Sequence, residues 1–253
     1  MMPHITVLIL NWNGADLLKK CLESIMEINY SNYSVVVIDN HSSDNSIELI
    51  KNKFPTVKII SLDKNYGFAG GYNKCFKQLD SKNTDYVLLL NNDTIVDSNI
   101  LMSLNKAKEK YGKNNIYGGK IFYQHDPDKI WYAGGKVKLS RFKISHIGIR
   151  ESDSDRFSNP MKTDYITGCC LFTSFEVINK LNGFDEQFNM YCEDVDLCLR
   201  GKDKGIYCYF WPDAKLWHHV SASLGGELSF RKLFKKNVSI LKLFKKKLFK
   251  KIL

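Results

Sequence analysis

The residues of this 253-residue chain that could do chemistry are acids standing directly after apolar runs. Val35–Asp39 ends in a carboxylate, with Asn40, Ser43 and Asp44 behind it. Such an acid can accept a hydrogen bond from a ribose hydroxyl or a base N–H. Ser43 and Asp44 serve equally well as helix caps. Tyr86–Leu90 runs into Asn91-Asn92-Asp93, and Asp97 follows. A hard cation on a diphosphate takes only one or two carboxylate oxygens from protein, which Asp93 could supply. The alternative is a strand-end turn in which Asp93 or Asp97 caps the next helix.

Three further stretches join these. Asn65-Tyr66-Gly67 with Gly70 and Gly71 follows a strand and opens a helix. Glycines there let backbone approach a phosphate or a base. The lysine of a phosphate loop is missing, so a tight turn explains the pattern equally well. Between Asp185 and Asp196 lie five acids. On a helix Asp196 and Arg200 are i,i+4 partners, and Glu193 and Asp194 fall in the first turn. Acids there either complement the helix dipole or provide a general base. Trp217-His218-His219 follows a strand-like Tyr207–Trp211. Either histidine could complete a metal site begun by Asp93, or simply pack.

The elements that must position these residues are legible from hydrophobic pattern. Ile5–Asn11, Val35–Asp39, Val57–Leu62 and Tyr86–Asn91 read as strands buried on both faces. Ala15–Ile28, Asn45–Phe54, Ala69–Leu79 and Ile100–Tyr111 read as helices between them. That alternation predicts an α/β fold with a mostly parallel sheet, whose ligands bind at the carboxyl ends of the strands. Asn11, Asp39 and Asn91–Asp93 stand at those ends. Further on, Gly118–Tyr123, Trp131–Ala133, Lys136–Leu139 and Asp164–Thr173 read as strands. Phe175–Leu181 and Glu193–Lys204 read as helices, and polar residues 150–162 as a mobile loop.

The net charge of +10 is concentrated at one end. Residues 228–253 hold ten of the 37 basic residues and no acid, so residues 1–227 are neutral. A neutral body argues against a nucleic-acid partner. From Phe230 apolar residues recur at 234, 238, 241, 244, 248 and 252, with Lys between them. This predicts a basic amphipathic helix, broken near Asn237, that lies on an anionic membrane surface rather than docking on its own domain. The chain divides on this basis into a domain, 1–227, and a membrane-associating tail, 228–253. Seven Cys without C-x-x-C spacing read as reduced thiols. Ile5–Leu10 is too short for a secretory signal, and no apolar run reaches about 20 residues. The expected location is the cytoplasm, peripheral on the inner face of the cell membrane.

Taken together and in order, these segments resemble glycosyltransferase family 2, over roughly residues 4–225. The stretches Gly168-Cys-Cys-Leu-Phe, Gly183-Phe-Asp185-Glu186 and Glu193-Asp194-Val-Asp196-Leu-Cys-Leu-Arg200 resemble its rhamnosyltransferase-like branch. The resemblance implies a GT-A fold and an inverting, metal-dependent hexosyltransferase. Its donor would be a dTDP- or UDP-linked sugar, a deoxyhexose such as rhamnose. Its acceptor would be an oligosaccharide or lipid-linked glycan of a surface polysaccharide. By the same resemblance Asp39 contacts base or ribose, with Asn11, Asn65, Gly67, Asn91 and Asn92 around the nucleotide. Asp93 and His218 hold Mg²⁺ or Mn²⁺, with His219 as the register alternative. Asp194 is the general base, with Glu193 and Gly168 on the acceptor side. Position 91 departs from the family's Asp-x-Asp motif, which leaves Asp93 more of the metal binding. Two other readings stand beside this one: a chain-extending transferase of other donor specificity, and a non-catalytic membrane-binding protein. A nucleotidyltransferase is disfavoured, because Ile9–Gly14 lacks the cations of an activating loop.

Overall fold

The computed structural model describes residues 2–188, 191–220 and 230–249. Its first half is β1 (Ile5–Asn11), α1 (Ala15–Met26), β2 (Tyr33–Asp39), α2 (Ser46–Lys53), β3 (Lys58–Ser61), α3 (Gly67–Phe76) and β4 (Tyr86–Asn91). β1 pairs in parallel with both β2 and β4, and β2 with β3. Val7, Leu8 and Ile9 of β1 and Val87–Leu90 of β4 are wholly buried, as strands covered on two faces require. Helix α1 turns Ala15, Leu18, Cys21, Leu22 and Ile25 inward, a stripe at helical spacing. Each such aliphatic side chain stabilises the fold by roughly 1.5–3 kcal/mol.

The second half is β5 (Thr94–Val96), α4 (Ile100–Tyr111), β6 (Ile116–Tyr123), β7 (Asp126–Tyr132), β8 (Gly135–Lys138), β9 (Lys143–His146), β10 (Met161–Thr163) and β11 (Cys170–Ser174). Then come α5 (Phe175–Leu181), α6 (Glu193–Lys202), β12 (Cys208–His218) and α7 (Phe230–Phe249). The main sheet runs β10-β12-β6-β11-β4-β1-β2-β3, with β5 on β12 and β7 on β6. β11 enters antiparallel between β4 and β6, so the sheet is mostly parallel but mixed. β8 and β9 form a separate hairpin.

Three expectations are corrected. The strand expected over Asp164–Thr173 begins only at Cys170, because the chain leaves the sheet to aim the Gly168 N–H at Asp194, 2.9 Å away. Residues 150–162 are pinned rather than mobile. Lys120, nearly buried, pairs with Asp153 at 2.7 Å, and Phe157 is wholly enclosed. Helix α7 runs through Asn237 without a break, since that polar side chain lies on the exposed face.

Nor does α7 stand clear of its own domain. Leu243 and Phe244 are buried. Lys246 Nζ bonds Asp185 Oδ2 at 2.6 Å and Asp196 Oδ1 at 2.7 Å. Asp196 has no solvent exposure and also accepts from Arg200 Nε at 2.6 Å. Arg200 in turn caps α5 through the carbonyls of Leu181 and Gly183. Among the described residues, no helix is long and apolar enough to cross a membrane.

Removing the buried charge that two cations share leaves Arg200 without its carboxylate and Lys246 with Asp185 alone. Asp196→Ala should therefore lower unfolding free energy by about 3 kcal/mol or more in urea titrations. Lys246→Met should cost clearly less, because that side chain is one-third exposed.

Candidate functional site

The ends of β1, β2 and β4 are brought side by side by register, with Asn11 opposite Asp39 and Leu10 opposite Asn91. Asn11 is wholly buried, and both ends of its amide are engaged. Its Oδ1 accepts from Asn92 Nδ2 at 2.7 Å, and its Nδ2 donates to Ser42 Oγ at 3.3 Å. It is a strut beneath Asn92. The chain turns sharply there, because a Cβ on Gly14 would sit 2.4 Å from Asn92 Nδ2. Asp39 differs. Its Oδ2 accepts from the Ser42 N–H at 3.1 Å, but its buried Oδ1 has no hydrogen-bond partner among the described residues. Leaving such an oxygen unsatisfied costs about 1–3 kcal/mol, which a ligand's donor would recover.

The capping alternatives are realised elsewhere. Asp44 accepts from Ala15 N at 3.0 Å and Ser46 N at 3.1 Å, serving the starts of α1 and α2 together. Asp97 accepts from Asn99 N at 2.8 Å, just ahead of α4. The 65–67 loop is shaped by Asn40, which the sequence reading passed over as an ordinary turn residue. Asn40 Oδ1 accepts from Tyr66 N at 2.8 Å, and its Nδ2 donates to Asn65 Oδ1 at 3.0 Å and Gly67 O at 3.1 Å. Asn65 Oδ1 also accepts from Gly67 N at 2.8 Å, so Asn65 holds the loop's shape. Gly67 has φ of +69°, a conformation that suits glycine.

β5 follows the Asn-Asn-Asp turn and pairs antiparallel with β12, setting His218 opposite Thr94. His218 Nε2 then lies 3.1 Å from Asp93 Oδ1, and both side chains are under one-tenth exposed. Neither Asp93 Oδ1 nor His218 Nδ1 makes an aligned hydrogen bond among the described residues. His219 meets Asp93 through its backbone N–H, at 2.8 Å, so His218 is the histidine whose ring reaches the acid. The Trp131 ring packs edge-on against His218 with centroids 4.6 Å apart. A carboxylate oxygen and an imidazole nitrogen converging in this way fit a divalent cation. Among the described residues no cluster of three or more His, Cys, Asp or Glu could hold one alone. The remaining ligands would come from water or a bound anion.

The second acidic pair opens α6. Tyr191 and Cys192 both have φ of +71°, which turns the chain abruptly into the helix. Asp194 accepts from Gly168 N at 2.9 Å and Val195 N at 2.8 Å. Burial raises its carboxyl above the ordinary value, although these bonds favour the charged form. Glu193 is nearly buried, and its Oε2 has no partner among the described residues. Burial first, and then the charge of Asp194, push its carboxyl up to about 8. The two carboxyls thus share one buried site, Glu193 with an oxygen that lacks a donor and Asp194 with two backbone N–H groups aimed at it. Gly168 acts through Asp194. A Cβ there would lie 2.7 Å from Phe68, closing the approach of its N–H. The α6 entry is tied to α3 by Asn73, which accepts from Phe184 N at 2.9 Å and donates to Glu186 at 2.9 Å. No signal in the sequence joins Asn73 to that loop. A cavity of about 810 Å³ lies apart from these acids, between the β8–β9 hairpin and the start of β12.

Comparison with known proteins shows the family and the fold. Residues 6–181 match the model of glycosyl transferase family 2. The N-acetylglucosaminyl-diphospho-decaprenol L-rhamnosyltransferase of Mycobacterium tuberculosis is 24% identical over 249 residues, covering 90% of this chain and 80% of that one. Rhamnosyltransferase WbbL of Escherichia coli is 27% identical over 225 residues, covering 85% and 83%. The crystal structure of GalNAc-T7 with UDP, GalNAc and Mn²⁺ superposes with a TM-score of 0.74 at 15% identity. It covers 96% of this chain and 48% of that one, and the likeness shows a GT-A fold.

Glu193 also makes stability depend on pH. Its folded-state pKa lies above the ordinary 4.5, so its contribution is fully present below that value and is lost as pH rises through about 8. Glu193→Gln should match the native protein in thermal stability near the lower limit. Above the upper limit it should be more stable, by up to a few kcal/mol. Equal melting temperatures across the range would contradict the burial argument.

Proposed function

Because this chain belongs to glycosyl transferase family 2, we propose that it moves a sugar from a nucleoside diphosphate to a hydroxyl of a lipid-linked glycan, with inversion. The observation that carries this is the row of buried acids with unpartnered oxygens: Asp39, Asp93 beside His218, and Glu193 beside Asp194. A nucleotide sugar has complementary groups in that order, namely ribose hydroxyls, diphosphate and anomeric carbon. The donor is a dTDP- or UDP-linked deoxyhexose such as rhamnose. The two relatives named as rhamnosyltransferases support that choice, and one is named for a diphospho-decaprenol acceptor.

Asp39 Oδ1 accepts from the nucleoside and fixes its depth. Asp93 and His218 would hold a divalent cation, Mg²⁺ or Mn²⁺, which when bound offsets charge on the departing diphosphate. Asp194, oriented by the Gly168 and Val195 N–H groups, takes the proton of the acceptor hydroxyl. The freed oxygen forms its bond to the anomeric carbon as the bond to the diphosphate oxygen breaks on the opposite face, so configuration inverts. Glu193, protonated, can donate a hydrogen bond to the acceptor without competing for that proton. A lipid-linked acceptor places the reaction at the cytoplasmic face of the membrane, where Lys242 and Lys245 of α7 are exposed to meet anionic headgroups.

A panel of nucleotide sugars, scored for nucleoside diphosphate release with and without Mg²⁺ or Mn²⁺, tests the reading. Asp194→Asn should lower transfer by roughly 10²–10⁴-fold while calorimetry shows nucleotide binding retained. Full activity in that variant removes Asp194 from its role. Asp93→Ala should lose the metal dependence of nucleotide binding, and metal-stimulated binding that survives the change excludes Asp93 as ligand.

A further inference from the structure

The neutrality of residues 1–227 hides one local imbalance. Gly135–Arg150 carries Lys136, Lys138, Arg141, Lys143 and Arg150, and no acid. The fold sets most of this stretch apart as the β8–β9 hairpin. Its register puts Lys138 opposite Lys143, and like charges across two strands disfavour the pairing. Lys136, Lys138, Arg141 and Lys143 are all exposed, and no described acid pairs with any of them. At the tip stands Phe142, 52% exposed and at φ of +48°. The left-handed backbone there is strained whatever the solvent, and an aromatic ring half exposed between cations leaves apolar surface in water.

The tip is not isolated. The Phe142 ring meets Phe244 of α7 edge to face, with centroids 4.8 Å apart. Beside that contact α7 exposes Leu241, at 55%, together with Lys242 and Lys245. Two segments a hundred residues apart in sequence thus build one surface, cationic with protruding apolar side chains. The hairpin's other end reaches the metal corner. His146 packs on Trp131 at 4.5 Å, and Trp131 on His218 at 4.6 Å.

We propose that the hairpin tip is a membrane contact in its own right. Phe142 enters the interface of an anionic bilayer, Lys138, Arg141 and Lys143 meet lipid phosphates, and α7 adds Leu241, Lys242 and Lys245 alongside. A single-stranded nucleic acid would use the cations and stack a base on Phe142 but leave the aliphatic Leu241 in water, whereas a bilayer interface accepts both apolar side chains. The contact would hold the Asp93–His218 corner two aromatic rings from the hairpin base, near a headgroup-borne acceptor. Only that last consequence rests on the transferase reading.

The test uses the full chain and phosphatidylcholine vesicles with or without phosphatidylglycerol. Combining Phe142→Ser with Lys138→Gln, Arg141→Gln and Lys143→Gln leaves α7 intact. It should weaken cosedimentation with the anionic vesicles roughly tenfold or more. Phe142→Trp alone should show blue-shifted emission and quenching by brominated lipid beyond that of the native tryptophans. Native-like sedimentation of the combined variant overturns the proposal, and so does a Trp at 142 that brominated lipid does not quench. Single-stranded RNA bound through the hairpin, with vesicle binding unaffected by the variant, overturns it in favour of a polyanion site. Loss of donor turnover with vesicle binding intact would refute the transferase reading alone.

Discussion

A buried carboxyl oxygen without a donor is costly, and among the described residues this fold keeps three of them: on Asp39, Asp93 and Glu193. At about 1–3 kcal/mol each, they are tolerable only beside a large apolar core. The parallel strands β1, β2 and β4 supply it, with aliphatic side chains on both faces up to the residue before each polar end. The same strands end in register, so the sheet that offsets the cost also lines up the acids that incur it. Neighbouring amides are spent on holding this geometry. Asn11 props Asn92, Asn40 shapes the 65–67 loop, and Asn73 ties α3 to the entry of α6.

Glu193 and Asp194 show how adjacent residues of one kind come to differ. Both are desolvated at the start of α6, but the N–H groups of Gly168 and Val195 are aimed at Asp194, while Glu193 keeps an oxygen without a donor among the described residues. One donor comes from Gly168, on a segment that forgoes sheet pairing to deliver it. The difference in their surroundings follows from where the backbone points rather than from residue type.

The half of the fold built from short-range pattern was legible in the sequence. Unbroken apolar runs and helical stripes located β1, β2, β4, α1 and α4 to within a few residues, and strand-end logic pointed to Asp39 and Asp93. The residues that reading could not weigh are those whose roles depend on a distant partner. Asp164–Thr173 has the composition of one strand, yet Gly168 is needed at Asp194, 26 residues on. The choice between His218 and His219 required the β5–β12 register. Periodicity in α7 gave the helix, but which part of its stripe would cover its own domain depended on Asp185 and Asp196 lying within reach of Lys246.

That last contact bears on how the protein is made. Asp196 shares its charge between Arg200, one turn away, and Lys246, 50 residues later. At about 5–20 residues per second, a few seconds of synthesis separate the two cations. During that interval the helix bearing Asp194 has one counter-ion for a carboxylate it must bury. Until then α6 lacks one of its ties, whereas Asn11, Asn40 and Asn92, the struts around the strand ends, all lie within the first hundred residues.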